Sequence, residues 1–151
     1  MEWMLMPLRR YAEFSGRSRR KEYWMFFLFV LIVGLVLRLL ESAVGMGGGV
    51  QGTGILSGLF SLATLVPSIA VGVRRLHDTD RTGWWLLVPI IPYIAGIAML
   101  FTGSLGISGI LMFVGLAGAI VLLVFFVMDG TRGPNRYGPD PKGAVNEDVF
   151  A

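Results

Sequence analysis

The residue types best suited to chemistry lie in one run, Arg74-Arg75-Leu76-His77-Asp78-Thr79-Asp80-Arg81-Thr82-Gly83-Trp84-Trp85. Imidazole titrates near neutral pH, so His77, oriented by Asp78 or Glu22, has the makings of a general acid or base for a phosphorylated or lipid substrate. His77, Asp78, Asp80 and Glu22 also offer the nitrogen and oxygen donors of a divalent-metal site. The rest of the chain weakens both readings: it has a single histidine, no cysteine, no H-E-x-x-H spacing and no nucleophile motif. Arginines crowd these carboxylates instead, and a guanidinium fits a carboxylate in two-pronged geometry. Arginine–carboxylate pairing is the expectation, with no catalytic residue, metal ligand or cofactor assigned.

Two other stretches share this character. Gly16-Arg17-Ser18-Arg19-Arg20-Lys21-Glu22-Tyr23-Trp24 opens one apolar run much as Arg81-Thr82-Gly83-Trp84-Trp85 opens another, with basic residues followed by paired aromatics. Indoles sit well at headgroup depth, and guanidinium groups attract anionic lipid. Gly130-Thr131-Arg132-Gly133-Pro134-Asn135-Arg136-Tyr137-Gly138-Pro139-Asp140-Pro141 is too rich in Gly and Pro for a helix, and its turn residues predict a compact segment folded back over helix ends. The candidate ligand-binding residues are Arg17, Arg20, Glu22, Trp24, Arg74, Arg75, His77, Asp78, Arg81, Trp84, Asn135, Arg136 and Tyr137. They suit a lipid bilayer, with an anionic phospholipid or a partner membrane protein as ligand. Nucleic acid is not expected, because the charge hugs the ends of the apolar runs.

These residues must be positioned by what lies between them. The 151-residue chain is 54% apolar and 15% charged, with mean hydropathy +0.69, which is not the balance of a soluble domain. The runs 23–40, 55–73, 84–101 and 107–128 approach or exceed the ~20 residues a helix needs to cross hydrocarbon. They lack the period-2 alternation of barrel strands. The expected fold is all-α, an integral membrane bundle of four transmembrane helices. The first run is longer than a signal-peptide core, lacks an A-x-A cleavage pattern and precedes three more runs, so it reads as a retained span. Every Lys and Arg except Arg38 falls in residues 1–22, 74–83 or 129–151, and cationic segments stay cytoplasmic. The plan is a basic cytoplasmic segment (1–22), a transmembrane domain (23–128) with a cytoplasmic loop (74–83), and a Gly/Pro-rich cytoplasmic tail (129–151).

Finer expectations follow. The glycine-rich stretch 42–54 reads as a flexible connector, whereas 102–106 is short enough to force a tight hairpin of the last two helices. Gly54 and Gly58, Ser57 and Ser61, and Gly115 and Ala119 are spaced for close helix packing, chiefly inside the monomer. Pro67, Pro89 and Pro92 favour kinks. Arg38 should reach the interface and pair with Glu41, Thr82 or Asp80 should cap the third helix, and Asp129, at a negative helix end, should have a cationic partner. Residues from Lys142 onward read as loosely ordered.

At Phe14-Ser15-Gly16-Arg17 with Tyr23-Trp24, Arg75-Leu76-His77-Asp78, Gly83-Trp84-Trp85, Gly130-Thr131 and Asn135-Arg136-Tyr137-Gly138-Pro139-Asp140, the chain resembles a group of small bacterial inner-membrane proteins, the domain of unknown function 805 or YhaH-like family. The resemblance implies a four-helix inner-membrane protein and no particular activity. Members often carry glycine where this chain has Asp80, and a small residue or proline where it has Arg132. The leading functional expectation is a non-enzymatic module whose basic cytoplasmic face binds anionic lipid headgroups or a partner protein. The alternatives are a membrane-interface enzyme using His77 and Asp78 and, more weakly, a small transporter or channel subunit, which the lack of ionisable residues inside the last three spans disfavours.

Overall fold

A backbone inside hydrocarbon must satisfy its own hydrogen bonds, and the four apolar runs do so as helices. The structure, a computed structural model, describes residues 2–45 and 54–143. Its elements are α1 (Glu2–Arg9), α2 (Arg20–Ala43), α3 (Ile55–Asp78), a 3-10 turn (Gly83–Leu86), α4 (Leu87–Phe101) and α5 (Leu105–Val127). α2, α3, the 3-10 turn with α4, and α5 are each long and apolar enough to cross a membrane. Among the described residues the β pairing is one isolated antiparallel bridge, Asn135 to Gly138. Most of the 42–54 connector and the end of the tail lie outside the described residues.

Three boundaries differ from expectation. α1 forms within residues 1–22, where the sequence reading places no helix. α3 continues past the end of its apolar run to Asp78, because helical hydrogen bonds do not require apolar side chains and Arg75 and His77 suit a negative helix end. Trp84 and Trp85 stand in the 3-10 turn rather than in an α-helix, and Thr82 precedes it without a side-chain cap. The Thr82 carbonyl takes the Trp85 N–H at 3.3 Å instead.

The chain forms two compact units. In the first, residues 1–14 and 21–71, α2 and α3 bury Phe26, Ala70 and Val71, and Phe29 meets Phe60 edge-on at 6.3 Å. Pro67 has no N–H, so the Ala63 carbonyl loses its helical donor; the Tyr11 hydroxyl donates to it at 2.7 Å. The Lys21 ammonium lies 5.7 Å from the centre of the Trp3 ring of α1. Glu41 does not pair with Arg38. Its carboxylate accepts the N–H groups of Leu56 at 2.5 Å and Ser57 at 3.2 Å, sealing the start of α3. A Cβ on Gly54 would overlap that carboxylate.

In the second unit, residues 15–20 and 72–151, α4 and α5 form the expected hairpin. A Cβ on Gly115 would lie 3.1 Å from the Pro89 carbonyl oxygen, and one on Gly118 would lie 3.2 Å from the Pro89 nitrogen. Small residues thus let the backbones touch. Ser108 Oγ donates to the Gly96 carbonyl at 2.8 Å, adding a polar tie between the helices.

Candidate functional site

The last turn of α3, the segment before α2, and the tail converge in the second unit on Asp78. Helical spacing of three puts Arg75 and Asp78 on one face, and Arg75 Nη1 donates to Asp78 Oδ2 at 2.5 Å. Arg17 Nε donates to Asp78 Oδ1 at 3.0 Å. All three side chains are buried, at 0%, 5% and 1% exposure for Arg75, Asp78 and Arg17. Two guanidinium charges against one carboxylate leave a surplus of positive charge, and carbonyl dipoles take it up. Arg75 donates to the carbonyls of Phe125, Phe126 and Met128, where α5 runs out of internal donors. Arg17 donates to Thr131 O at 2.5 Å and Gly133 O at 2.7 Å.

The tail is bound by these donors and by the exposed backbone of α3. Thr131 donates its N–H (2.8 Å) and hydroxyl (3.1 Å) to the Asp78 carbonyl, and Asn135 Nδ2 donates to the His77 carbonyl at 2.9 Å. A Cβ on Gly130 would overlap the Asp78 carboxylate, so the close approach requires glycine there. The His77 and Tyr137 rings stack in parallel, 3.8 Å apart with a 4° tilt. His77 Nδ1 faces the Gly16 carbonyl at 3.1 Å; a carbonyl only accepts, so Nδ1 carries the proton. The tail therefore folds back over helix ends as its turn residues predicted.

The same geometry revises the acid–base and metal arrangements. Asp78 is occupied by two arginines, and His77 is oriented by a backbone carbonyl and a tyrosine ring. Among the described residues, no cluster of three His, Asp or Glu side chains is placed to hold a metal ion. The remaining candidates divide between the units. Arg20 Nη2 pairs with Asp129 at 2.6 Å and its Nη1 donates to Val127 O at 2.9 Å; Lys142 meets Asp129 at 3.1 Å, so that carboxylate has its cationic partners. The Lys142 hydrogen bond, then the Arg20 charge, hold the Asp129 carboxyl below its ordinary range. Arg81 lies 3.9 Å over the Phe125 ring, which Trp85 meets edge-on at 5.1 Å. Arg136 pairs with Asp80 at 3.1 Å. Trp84 is exposed, and Arg74 is buried with its carbonyl accepting the Ser18 N–H. Glu22 and Trp24 belong to the first unit, where Glu22 is buried and Trp24 packs edge-on against Tyr23 and Phe27.

Sequence reasoning missed Gly130, Thr131, Asp140 and Lys142 as site residues. Asp140 accepts the N–H groups of Lys142 and Gly133, which hold its carboxyl low and close the turn. The available signal was the Asp-Pro-Lys order after Gly-Pro turns, a pattern for side-chain-to-backbone bonding. Asp80 adopts φ 57°, the left-handed region that favours glycine, consistent with the glycine expected there in related sequences.

Comparison with known proteins gives a match over residues 11–139 to a family described as Protein of unknown function (DUF805). Inner membrane protein YhaI of Escherichia coli (strain K12) is 42% identical over 146 residues, 97% of this chain and 100% of that protein. Inner membrane protein YhaH of the same strain is 40% identical over 142 residues, 94% and 98% of the two chains. Uncharacterized protein YiiR, also of that strain, is 32% identical over 135 residues, 84% of each. No solved structure matches. The matched span includes Arg17, Arg75, Asp78, Gly130 and Thr131 and ends before Asp140 and Lys142.

Proposed function

Since the chain belongs to the DUF805 family, we propose that it is a multi-pass protein of the bacterial inner membrane, with both termini cytoplasmic, that holds anionic phospholipid headgroups without catalysing a reaction. The observation that carries this reading is a division of labour among the basic residues of the second unit. Arg17 and Arg75 are buried on Asp78 and on carbonyls. Arg132, Arg136 and Lys142 remain exposed on the tail that those two hold in place. Exposed ion pairs such as Arg136–Asp80 and Lys142–Asp129 are weakened by water and salt, so a phosphate competes for the cations readily. Trp84, exposed on its 3-10 turn, is a natural interface anchor.

Native mass spectrometry of the full chain with dioleoylphosphatidylglycerol tests the reading. Replacing Arg132, Arg136 and Lys142 together by Gln should weaken retention of the lipid bound at this face on the order of a hundredfold, from ~1 kcal/mol per basic residue at a lipid surface. Unchanged retention would contradict it, and a bound protein lost in the same variant would assign the face to a protein partner. For orientation, the cysteine-free chain accepts Gly47→Cys as a single reporter; labelling from the cytoplasmic side alone would overturn the assignment of the termini.

A further inference from the structure

We infer a second phospholipid site, in the first unit, built around Arg38. On α2, Val30, Leu31, Gly34 and Arg38 form one stripe by their helical spacing, extending ~12 Å at 1.5 Å per residue. They line a groove of about 330 Å³ with Leu35 and Phe60, comparable to small ligand pockets. The groove is apolar along its length and cationic at one end, which matches an acyl chain joined to a phosphate. Arg38 is the one cation within the long apolar runs.

Its nearest acidic neighbour in sequence attracts it through space but forms no close ion pair with it. Glu41 is turned onto the N–H groups of Leu56 and Ser57, and among the described residues no carboxylate lies within 4.0 Å of Arg38. Ser61, on the groove wall, directs its hydroxyl proton to the Ser57 carbonyl at 2.8 Å, leaving the guanidinium as the donor for a phosphate. Arg38 lies about 8 Å from the end of α2 at Ala43, by helical rise, a depth at which guanidinium meets headgroup. The phosphate sits on Arg38, and one acyl chain runs from it past Gly34 toward Val30.

The site is independent of the tail cations, and its test is made where they are absent. In the Arg132, Arg136 and Lys142 triple Gln chain, native mass spectrometry with dioleoylphosphatidylglycerol should show one lipid retained. Arg38→Gln should reduce that retention about fivefold, and Arg38→Lys should preserve it. Gly34→Leu, which fills the groove and leaves the charge, should reduce it comparably. Gly34→Ala should not, since the atom nearest an added Cβ is Phe60 Cε1 at 4.0 Å. The inference is overturned if neither Arg38→Gln nor Gly34→Leu lowers retention below that of the triple Gln chain, or if only Arg38→Gln has an effect, which would make Arg38 a surface counterion. A dimer abolished by Gly34→Leu, with lipid unchanged, would assign the groove to a second copy of the chain and equally overturn it.

Discussion

The two ends of α3 are sealed by opposite chemistry. At Ile55, one carboxylate, Glu41, accepts two backbone N–H groups. At Asp78, a carboxylate is gripped by two buried guanidinium groups, which reach onward to the carbonyls of α5 and the tail. Both complement the helix dipole, but the first ties one helix start and the second ties several segments through one charge. Dependence on a single residue should therefore be far greater at the second end.

Asp78→Ala is the strongest way to break this contrast. Leaving Arg17 and Arg75 buried and uncompensated should cost about 3–5 kcal/mol, read as a fall in thermal unfolding temperature in detergent; Glu41→Gln should cost clearly less. Equal losses would erase the distinction. Gly130→Ala forces a methyl into the Asp78 carboxylate and should cost about 1–3 kcal/mol by overpacking, whereas Gly133→Ala, where a Cβ meets open space but φ is +74°, is penalised through its backbone alone. Tyr11→Phe removes the donor to the Ala63 carbonyl and should cost about 1 kcal/mol. Restoring a donor by Pro67→Ala in the same chain should recover part of that loss.

Acid sharpens the comparison more gently. Asp129 and Asp140 titrate below the ordinary carboxylate range in the folded chain. Their stabilisation is therefore complete above the unfolded value near 4 and is lost as pH falls through the lowered folded values. Carboxyl-carbon NMR should place both midpoints below those of a tail peptide; coincident midpoints would contradict the tail pairings. Smallest of all, Asp80→Gly should change stability by under ~1 kcal/mol, because relief of a left-handed backbone offsets loss of an exposed pair with Arg136.

The four long helices were legible because bilayer-length apolar runs are a one-dimensional signal. The folded-back tail was legible in its turn residues, and a cationic partner for Asp129 in the sign of the helix dipole. The partners themselves were not. Arg17 and Asp78 are far apart in sequence, and arginine at a helix end reads the same whether it faces lipid or a buried aspartate. The charged end of α3 escaped a hydropathy argument because its helix continues through Arg74 and Arg75. Glu41 looked suited to Arg38 by local spacing, yet two unsatisfied N–H groups on α3 won it. Tyr11 gave no sign of its partner, since the carbonyl it caps is exposed only by Pro67, distant in sequence.

The most direct test is amide hydrogen exchange on the full chain, comparing wild type with Asp78→Asn. If Asp78 gathers Arg17, Arg75 and the tail into one unit, protection at Thr131, Gly133, Asn135 and Tyr137 should collapse together while the α4 and α5 amides stay protected. Tail amides that keep their wild-type protection after that substitution would contradict the account.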